Sequence, residues 1–309
     1  MSATTESLLA QREAKLIAAL SRLDSVVVAY SGGVDSSLLA FYARKVLGDR
    51  ARIVIAVSPS LASDELDEAR AQAKQFGWQL MEVTTDEVDN PDYRKNDGQR
   101  CYFCKGALFA AMDALAKREG FVNLAYGANV ADLGDIRPGQ RAAQEYNVVS
   151  PLQEAQLTKE EIRELARIAG LASWDKPQSA CLSSRFPTFE TVTPQRLKVV
   201  ESAEIALRKL GFKGFRVRFH SLSATKNLSG EELSLARIEF TDEDLRRVSL
   251  DETLRSQLAA AVKSAGFAFV TIDIEGYRQG SSNIGLGSFA ADEAQRNSEF
   301  VPVELTRRG

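Results

Sequence analysis

Short apolar runs alternate with longer amphipathic stretches through the first half of the chain. Met1 to Leu23 places Leu8, Leu9, Leu16, Ile17 and Leu20 at helical spacing. Asp24 to Tyr30 (DSVVVAY) is then a β-branched run leading into a Gly pair. Such a run, apolar on both faces, predicts a buried parallel strand. Ser36 to Leu47 predicts a helix stopped by Gly48. Arg52 to Val57 (RIVIAV) predicts a second strand, ended by Pro59. Ser63 to Phe76 predicts a helix with Ser63 as N-cap and acidic residues in its first turn. Trp78 to Thr84 predicts a third strand, residues 86–100 a polar loop, Tyr102 to Arg118 a helix and Val122 to Tyr126 a fourth strand.

This alternation predicts an α/β fold with an open, doubly wound parallel sheet. Such sheets bind ligands at the carboxyl ends of their strands, so the segments after Tyr30, Val57 and Tyr126 are where chemistry is expected. Leu157 to Ala169 predicts a further helix, with Thr158 and Glu161 in capping-box spacing. Trp174 to Pro187 is irregular. The pattern changes near residue 190. Thr193 to Leu210 and Leu250 to Ala265 predict helices; Phe215 to His220, Ala236 to Phe240 and Ala268 to Glu275 predict strands. These form a separate, smaller α+β unit of ferredoxin-like kind. Residues 221–234 read as a polar, exposed loop. The expected division is therefore residues 1–190 and 191–309, with a polar tail after Ala291.

The 309 residues give ample length for a core in each domain. The 39 basic and 42 acidic side chains leave a net charge of −3. That balance argues against a large nucleic-acid footprint, which needs a basic face. No run approaches the roughly 18 apolar residues of a membrane helix, and the N-terminal stretch lacks a signal-peptide core. A cytoplasmic protein with no membrane partner is expected.

Ser31-Gly32-Gly33-Val34-Asp35-Ser36 sits between a strand and a helix, the context in which a glycine loop carries meaning. Two glycines let the backbone turn tightly and aim N–H groups at an anion, and the helix start adds its positive end. Ser31 and Ser36 bring hydroxyl donors, and Asp35 can hold Mg2+. No Gly-Lys-Ser/Thr and no GxGxxG occurs here, so the loop is neither a Walker loop nor a dinucleotide fingerprint. SGGVDS resembles the phosphate loop of the PP-loop ATP pyrophosphatases. That resemblance implies ATP as cofactor, held by its pyrophosphate end, and AMP transfer to a substrate. It also places adenine near Ser58, at the end of the second strand. At the fourth strand end, Gly127 permits close backbone approach, and Asp132 and Asp135 are candidates to line the ATP or metal site.

Cys101 and Cys104 form a CxxC at a helix start, where a thiolate is favoured. Cys181 lies far along the chain, with Arg185 as a nearby cation. The residues alone leave several readings open: a redox pair, a Cys3His zinc site with His220, a [4Fe–4S] cluster on three cysteines, or three buried thiols.

SGGVDSS, CYFCK, ACLSSRFP, FRVRFH and GYRQGSSN occur in that order. The series resembles the LarE-type sulfur transferases over about residues 5–290. That resemblance implies a pyridinium dicarboxylate mononucleotide as substrate, ATP adenylation of one carboxylate, and attack by sulfur to give a thiocarboxylate. In one branch a cysteine at the position of Cys181 gives up its own sulfur. In another, three cysteines carry a [4Fe–4S] cluster with an extra sulfide. Cys101, Cys104 and Cys181 match the cluster branch, with Cys181 as the catalytic position and a sulfide source as a further partner. The resemblance assigns Arg216 and Arg218, on one face of a strand, to the substrate's phosphate. Arg185, Glu239, Arg278 and Ser281 are further substrate-site candidates. It also suggests a homo-oligomer. Two departures stand out: a long polar stretch at 221–234, and Thr188-Phe189 after Pro187 where the family often has Tyr-Gly. Competing readings are tRNA thiolation, an amide-forming enzyme such as NAD synthetase, and a nucleotide-binding module without chemistry.

Overall fold

The computed structural model describes residues 3–132, 138–177, 180–226 and 232–278. They divide into two compact units. The first takes the chain up to Lys95, then Gln99–Ser183 and Val192–Glu201. The second takes Asn96–Gly98, Ser184–Thr191 and the described residues from Ser202 onward.

The first unit is built on four parallel strands: β1 (Val26–Ala29), β2 (Ala51–Val57), β3 (Leu80–Thr84) and β4 (Asn123–Ala125). Their order is β3-β2-β1-β4. Parallel neighbours require crossovers, and helices supply them. The unit's helices are α1 (Ala3–Ser21), α2 (Val34–Leu47), α3 (Ser63–Gln75), α4 (Pro91–Arg94), α5 (Arg100–Glu119), α6 (Pro138–Glu145), α7 (Pro151–Glu154) and α8 (Lys159–Ile168), of which α2 to α5 lie between the strands. Alternate strand residues face opposite layers. Val26, Val28, Ile53 and Ile55 pack with Leu16, Leu20, Leu38, Leu39, Ile162 and Leu165 of α1, α2 and α8. Val27, Ala29 and Val54 pack with Phe109, Met112 and Leu115 of α5 and Ala142 of α6. Helices on both faces make the sheet doubly wound. Each large side chain sealed in these layers contributes about 1.5–3 kcal/mol of transfer free energy.

Several local expectations shift. The helix after the glycine loop begins at Val34 with Gly33 as N-cap, so the loop itself forms the first turn. Ser63 is not an N-cap: Ala62 holds that position without a side-chain bond, and the Ser63 N–H goes to Glu201 Oε1 at 2.7 Å. Residues 86–100 are not a plain loop. They hold a 3-10 turn at Glu87–Asp89 and α4, capped by Asn90. Helix α5 begins at Arg100, which puts Cys101 inside its first turn. The capping box of Thr158 and Glu161 is present at α8.

The second unit contains the C-terminal part of α9 (Pro194–Lys209), then β5 (Arg216–Lys226), β6 (Glu232–Glu239), α10 (Asp242–Leu250), α11 (Glu252–Ser264) and β7 (Phe269–Ile272). The sheet order is β5-β6-β7, antiparallel then parallel. Three described strands with one parallel pair do not make a ferredoxin-like arrangement. Strand β5 runs on to Lys226, so 221–226 are strand rather than loop, with a register irregularity between Ser221 and Lys226. Short α10 escaped the pattern reading; Thr241 caps it through the Asp244 N–H. Among the described residues no helix is long and apolar enough to cross a membrane.

Candidate active site: a phosphate loop and a thiol cluster

The loop between β1 and α2 is folded on itself. Gly32 has φ +74, a left-handed conformation that glycine adopts without strain. The Ser31 N–H donates to Ser36 Oγ at 3.1 Å, the two hydroxyls lie 3.0 Å apart, and Ser36 Oγ donates to the Gly33 carbonyl at 3.0 Å. Val34, Asp35 and Ser36 occupy the first helical turn, whose N–H groups have no intrahelical acceptor and favour an anion. Gly127, at the end of β4, comes so close that a Cβ there would lie 2.8 Å from the Ser36 nitrogen. Only glycine lets the two backbones meet.

Over this loop lies a cavity of about 260 Å³, lined by Ser31, Gly33, Asp35, Ser36, Tyr126 and Gly127, and also by Lys105 from α5. Lys105 Nζ sits 4.9 Å from the Tyr126 ring centroid. Asp35 Oδ1 accepts from Asn129 at 3.3 Å, and Oδ2 is ion-paired with Lys159. A carboxylate here suits Mg2+, and Lys159 competes with the metal for that oxygen. At the end of β2, Ser58 and Ser60 donate to Glu87 Oε1 at 2.5 and 2.9 Å. Among the described residues Glu87 Oε2 is buried without a hydrogen-bond partner, an unmet acceptor beside the strand end assigned to adenine. Asp132 Oδ2 accepts from the Asn129 N–H at 3.0 Å; Asp135 lies outside the described residues. A larger cavity, about 560 Å³, is lined by Asp86, Glu87, Asp89 and Glu145 with Tyr102 and Phe103. Its acidic wall opposes a polyphosphate, so the smaller cavity is the nucleotide candidate.

The three cysteines are not joined in disulfides; Cys101 and Cys181 are exposed and Cys104 is half-buried. Arg100, next to Cys101 in the chain, is electrostatically coupled to all three. Burial pulls Arg100 down, but Cys181, Cys101, Tyr93 and Cys104 outweigh it and hold it above its ordinary value. Burial pushes the Cys104 thiol well up, and Cys181, Glu87 and Cys101 add to this while Arg100 opposes it. Folding thus gathers thiols from α5 and from a loop some 80 positions later into one electrostatic neighbourhood. Arg185 donates through Nε and Nη2 to Glu204, at 2.9 and 3.0 Å.

In the second unit, Arg218 donates to Glu239 Oε2 and to the Ser184 carbonyl, each at 2.7 Å. Glu239 is 0% exposed and also accepts from Arg237 at 3.1 Å, so it holds arginines rather than facing an open site. Arg216 is different. It makes no ion pair among the described residues, donating to the Phe215 carbonyl at 2.8 Å and lying 5.2 Å from the Tyr277 ring. Burial lowers its pKa first, then the neighbouring Arg185, with Arg218 adding to the effect. An under-neutralised guanidinium of this kind favours an anion. Arg278 forms an exposed pair with Glu275 at 2.6 Å, and Ser281 lies outside the described residues.

The NAD synthase family profile matches residues 14–110. An uncharacterized protein of Synechocystis sp. is 43% identical, over 84% of this chain and 92% of its own length. The pyridinium-3,5-bisthiocarboxylic acid mononucleotide synthase of Lactiplantibacillus plantarum is 34% identical, over 89% of this chain and 95% of its own length. The chain belongs to the LarE-type family. It is a PP-loop sulfur transferase. An uncharacterized protein of Methanocaldococcus jannaschii is 28% identical, over 82% of this chain and 90% of its own.

Within this LarE-type chain, the zinc reading that used His220 is weakened. His220 Nε2 accepts from Arg237 Nε at 3.1 Å, engaging the lone pair a metal needs. The donor chemistry of the three thiols suits iron and sulfide. They do not stand at ligand spacing here: among the described residues, no group of three His, Cys, Asp or Glu side chains is placed to hold a metal ion. Lys105, Arg100, Tyr93, Lys159 and Glu204 were not singled out from the sequence. Lys105 alone had a signal, since it closes the CYFCK segment.

Proposed function

We propose that this protein adenylates one carboxylate of pyridinium-3,5-biscarboxylic acid mononucleotide with ATP and converts it to a thiocarboxylate, using sulfur carried at Cys101, Cys104 and Cys181. One observation carries the reading: helix α5 bears two of the thiols in its first two turns and sends Lys105 into the cavity over the phosphate loop. Nucleotide chemistry and sulfur chemistry share one rigid element.

The phosphate loop and Lys105 hold the β- and γ-phosphates, and Asp35 holds Mg2+. The substrate carboxylate attacks the α-phosphorus and pyrophosphate leaves. Oxide, a poor leaving group, has become AMP. Sulfur then attacks the acyl carbon, the bond to AMP breaks, and a thiocarboxylate remains. Cys101, Cys104 and Cys181 would hold a [4Fe–4S] cluster, which would supply sulfide-level sulfur replaceable from a sulfide source. Arg216 holds the substrate phosphate, and Arg218, on the same strand and bound to Glu239, adds positive charge beside it. The same reading places the enzyme in the cytoplasm as a homo-oligomer, with no nucleic-acid partner.

The test is anaerobic purification followed by iron and labile-sulfide analysis, then turnover with ATP and the dicarboxylate mononucleotide. About four irons per chain, pyrophosphate release and a protein mass unchanged after turnover support it. The exposure of Cys181 favours a second reading, in which that residue gives up its own sulfur. An iron-free protein that loses the mass of one H2S per product would replace the first reading with the second.

A further inference from the structure

The loop that carries Cys181 is seized immediately after the cysteine. The Leu182 N–H donates to the Ser60 carbonyl at 2.9 Å, just past the end of β2. The Ser183 hydroxyl lies 2.6 Å from the Tyr93 hydroxyl of α4, with both side chains buried. The Ser183 carbonyl accepts from Arg100 Nη1 of α5 at 2.7 Å. Three elements therefore grip two consecutive residues. Arg100 also directly precedes Cys101, and its charge is coupled to all three thiols. A neutral tether would fix the loop equally well. A guanidinium at this point does more, because any thiolate, sulfide or persulfide gathered here brings negative charge into a half-buried place.

We propose that Arg100 is a positioning residue of the sulfur site: its bond to the Ser183 carbonyl locks the Cys181 loop against the CxxC helix, and its positive charge offsets negative charge gathered on the thiols. The meaning of this device rests on the sulfur-transfer reading, but its test does not, since the thiols can be probed without iron, ATP or substrate.

The experiment uses the full-length, reduced, metal-free protein and dibromobimane, which becomes fluorescent when it bridges two nearby thiols. Variants Cys101→Ser and Cys104→Ser separate bridges to Cys181 from the bridge within the CxxC. In Arg100→Gln, bridging to Cys181 slows about tenfold, as loss of a charge-assisted hydrogen bond of about 1.4 kcal/mol implies. Bridging within the CxxC, the unfolding midpoint and ATP affinity do not move. In the loaded enzyme the same variant lowers kcat for thiocarboxylate formation and leaves KM for ATP unchanged. Arg100→Lys, which keeps the charge but loses the planar fork, recovers part of the bridging rate; it also serves if Arg100→Gln does not fold. Wild-type bridging to Cys181 in Arg100→Gln overturns the proposal. So does a parallel fall in CxxC bridging and ATP affinity, which would mark a general structural defect. A wild-type protein that never takes up iron removes the cluster reading and leaves this tether standing.

Discussion

The phosphate loop and the thiol cluster lie in the same unit and are built in opposite ways. The loop is six consecutive residues that hydrogen-bond to one another, Ser31 to Ser36 and Ser36 to Gly33. Its shape is set by local chain chemistry and by one close approach, at Gly127. The thiol cluster has no local cause. Cys181 joins Cys101 and Cys104 because Ser60, Tyr93 and Arg100 hold the two residues after it. A site made of neighbours in sequence tolerates changes elsewhere. A site assembled by tertiary bonds fails when any of its ties is cut.

The sharpest way to test that contrast is to remove one half. Cys181→Ser should abolish thiocarboxylate formation, by on the order of a thousandfold or more, while pyrophosphate release continues. Coupled loss of both activities would mean the halves are not separable. Gly127→Ala attacks the contiguous half instead. Its methyl meets the Ser36 nitrogen at 2.8 Å, and such overpacking costs about 1–3 kcal/mol. A lowered unfolding midpoint and weaker ATP binding are expected, with thiol bridging preserved; calorimetry and nucleotide titration measure both.

A third change asks whether the arginine group of the second unit belongs to substrate binding. Arg218 and Arg185 are each locked to a buried glutamate, and cutting such a pair typically costs about 3–5 kcal/mol of stability. Arg216 is not locked in this way. Arg216→Gln should raise the KM for the mononucleotide about tenfold, the value of one charge-assisted bond, at little cost in stability. A fall in stability with no change in KM would return Arg216 to a structural role.

The smallest effect concerns His220. Burial, then Arg237 and Arg218, lower its pKa below 6.5. The unfolded chain takes up the proton more readily than the folded one, so stability falls as pH drops through and below that value. The unfolding midpoint of the wild type should decline on acidification, and His220→Gln should flatten part of the decline. An identical pH profile in the variant would show that carboxylates alone account for it.

How much was legible follows from the same contrast. The strands could be read because Val26 to Ala29 and Ile53 to Ile55 are buried on both faces, which leaves a continuous apolar run. The capping box at Thr158 was legible because both partners lie within four residues. Ser63 misled because its capping role is displaced by Glu201, far along the chain. The two-turn helices α6 and α10 and the four-residue α7 lacked the length for periodicity to show. The ferredoxin-like expectation failed because strand direction is not encoded in apolar alternation: β6 and β7 run parallel.

The sequence by itself determined the sheet, its longer helices and the phosphate loop, because each follows from residues near one another in the chain. It also determined that the three cysteines exist at a helix start and in a distant loop. Only the tertiary structure decided that Arg100, beside the CxxC, ties down Ser183 just after Cys181, that Lys105 reaches the phosphate cavity, and that Arg216 differs from Arg218. These facts depend on hydrogen bonds and charges brought together across tens of residues. No local preference encodes them; the packing of the sheet and its helices puts them in place.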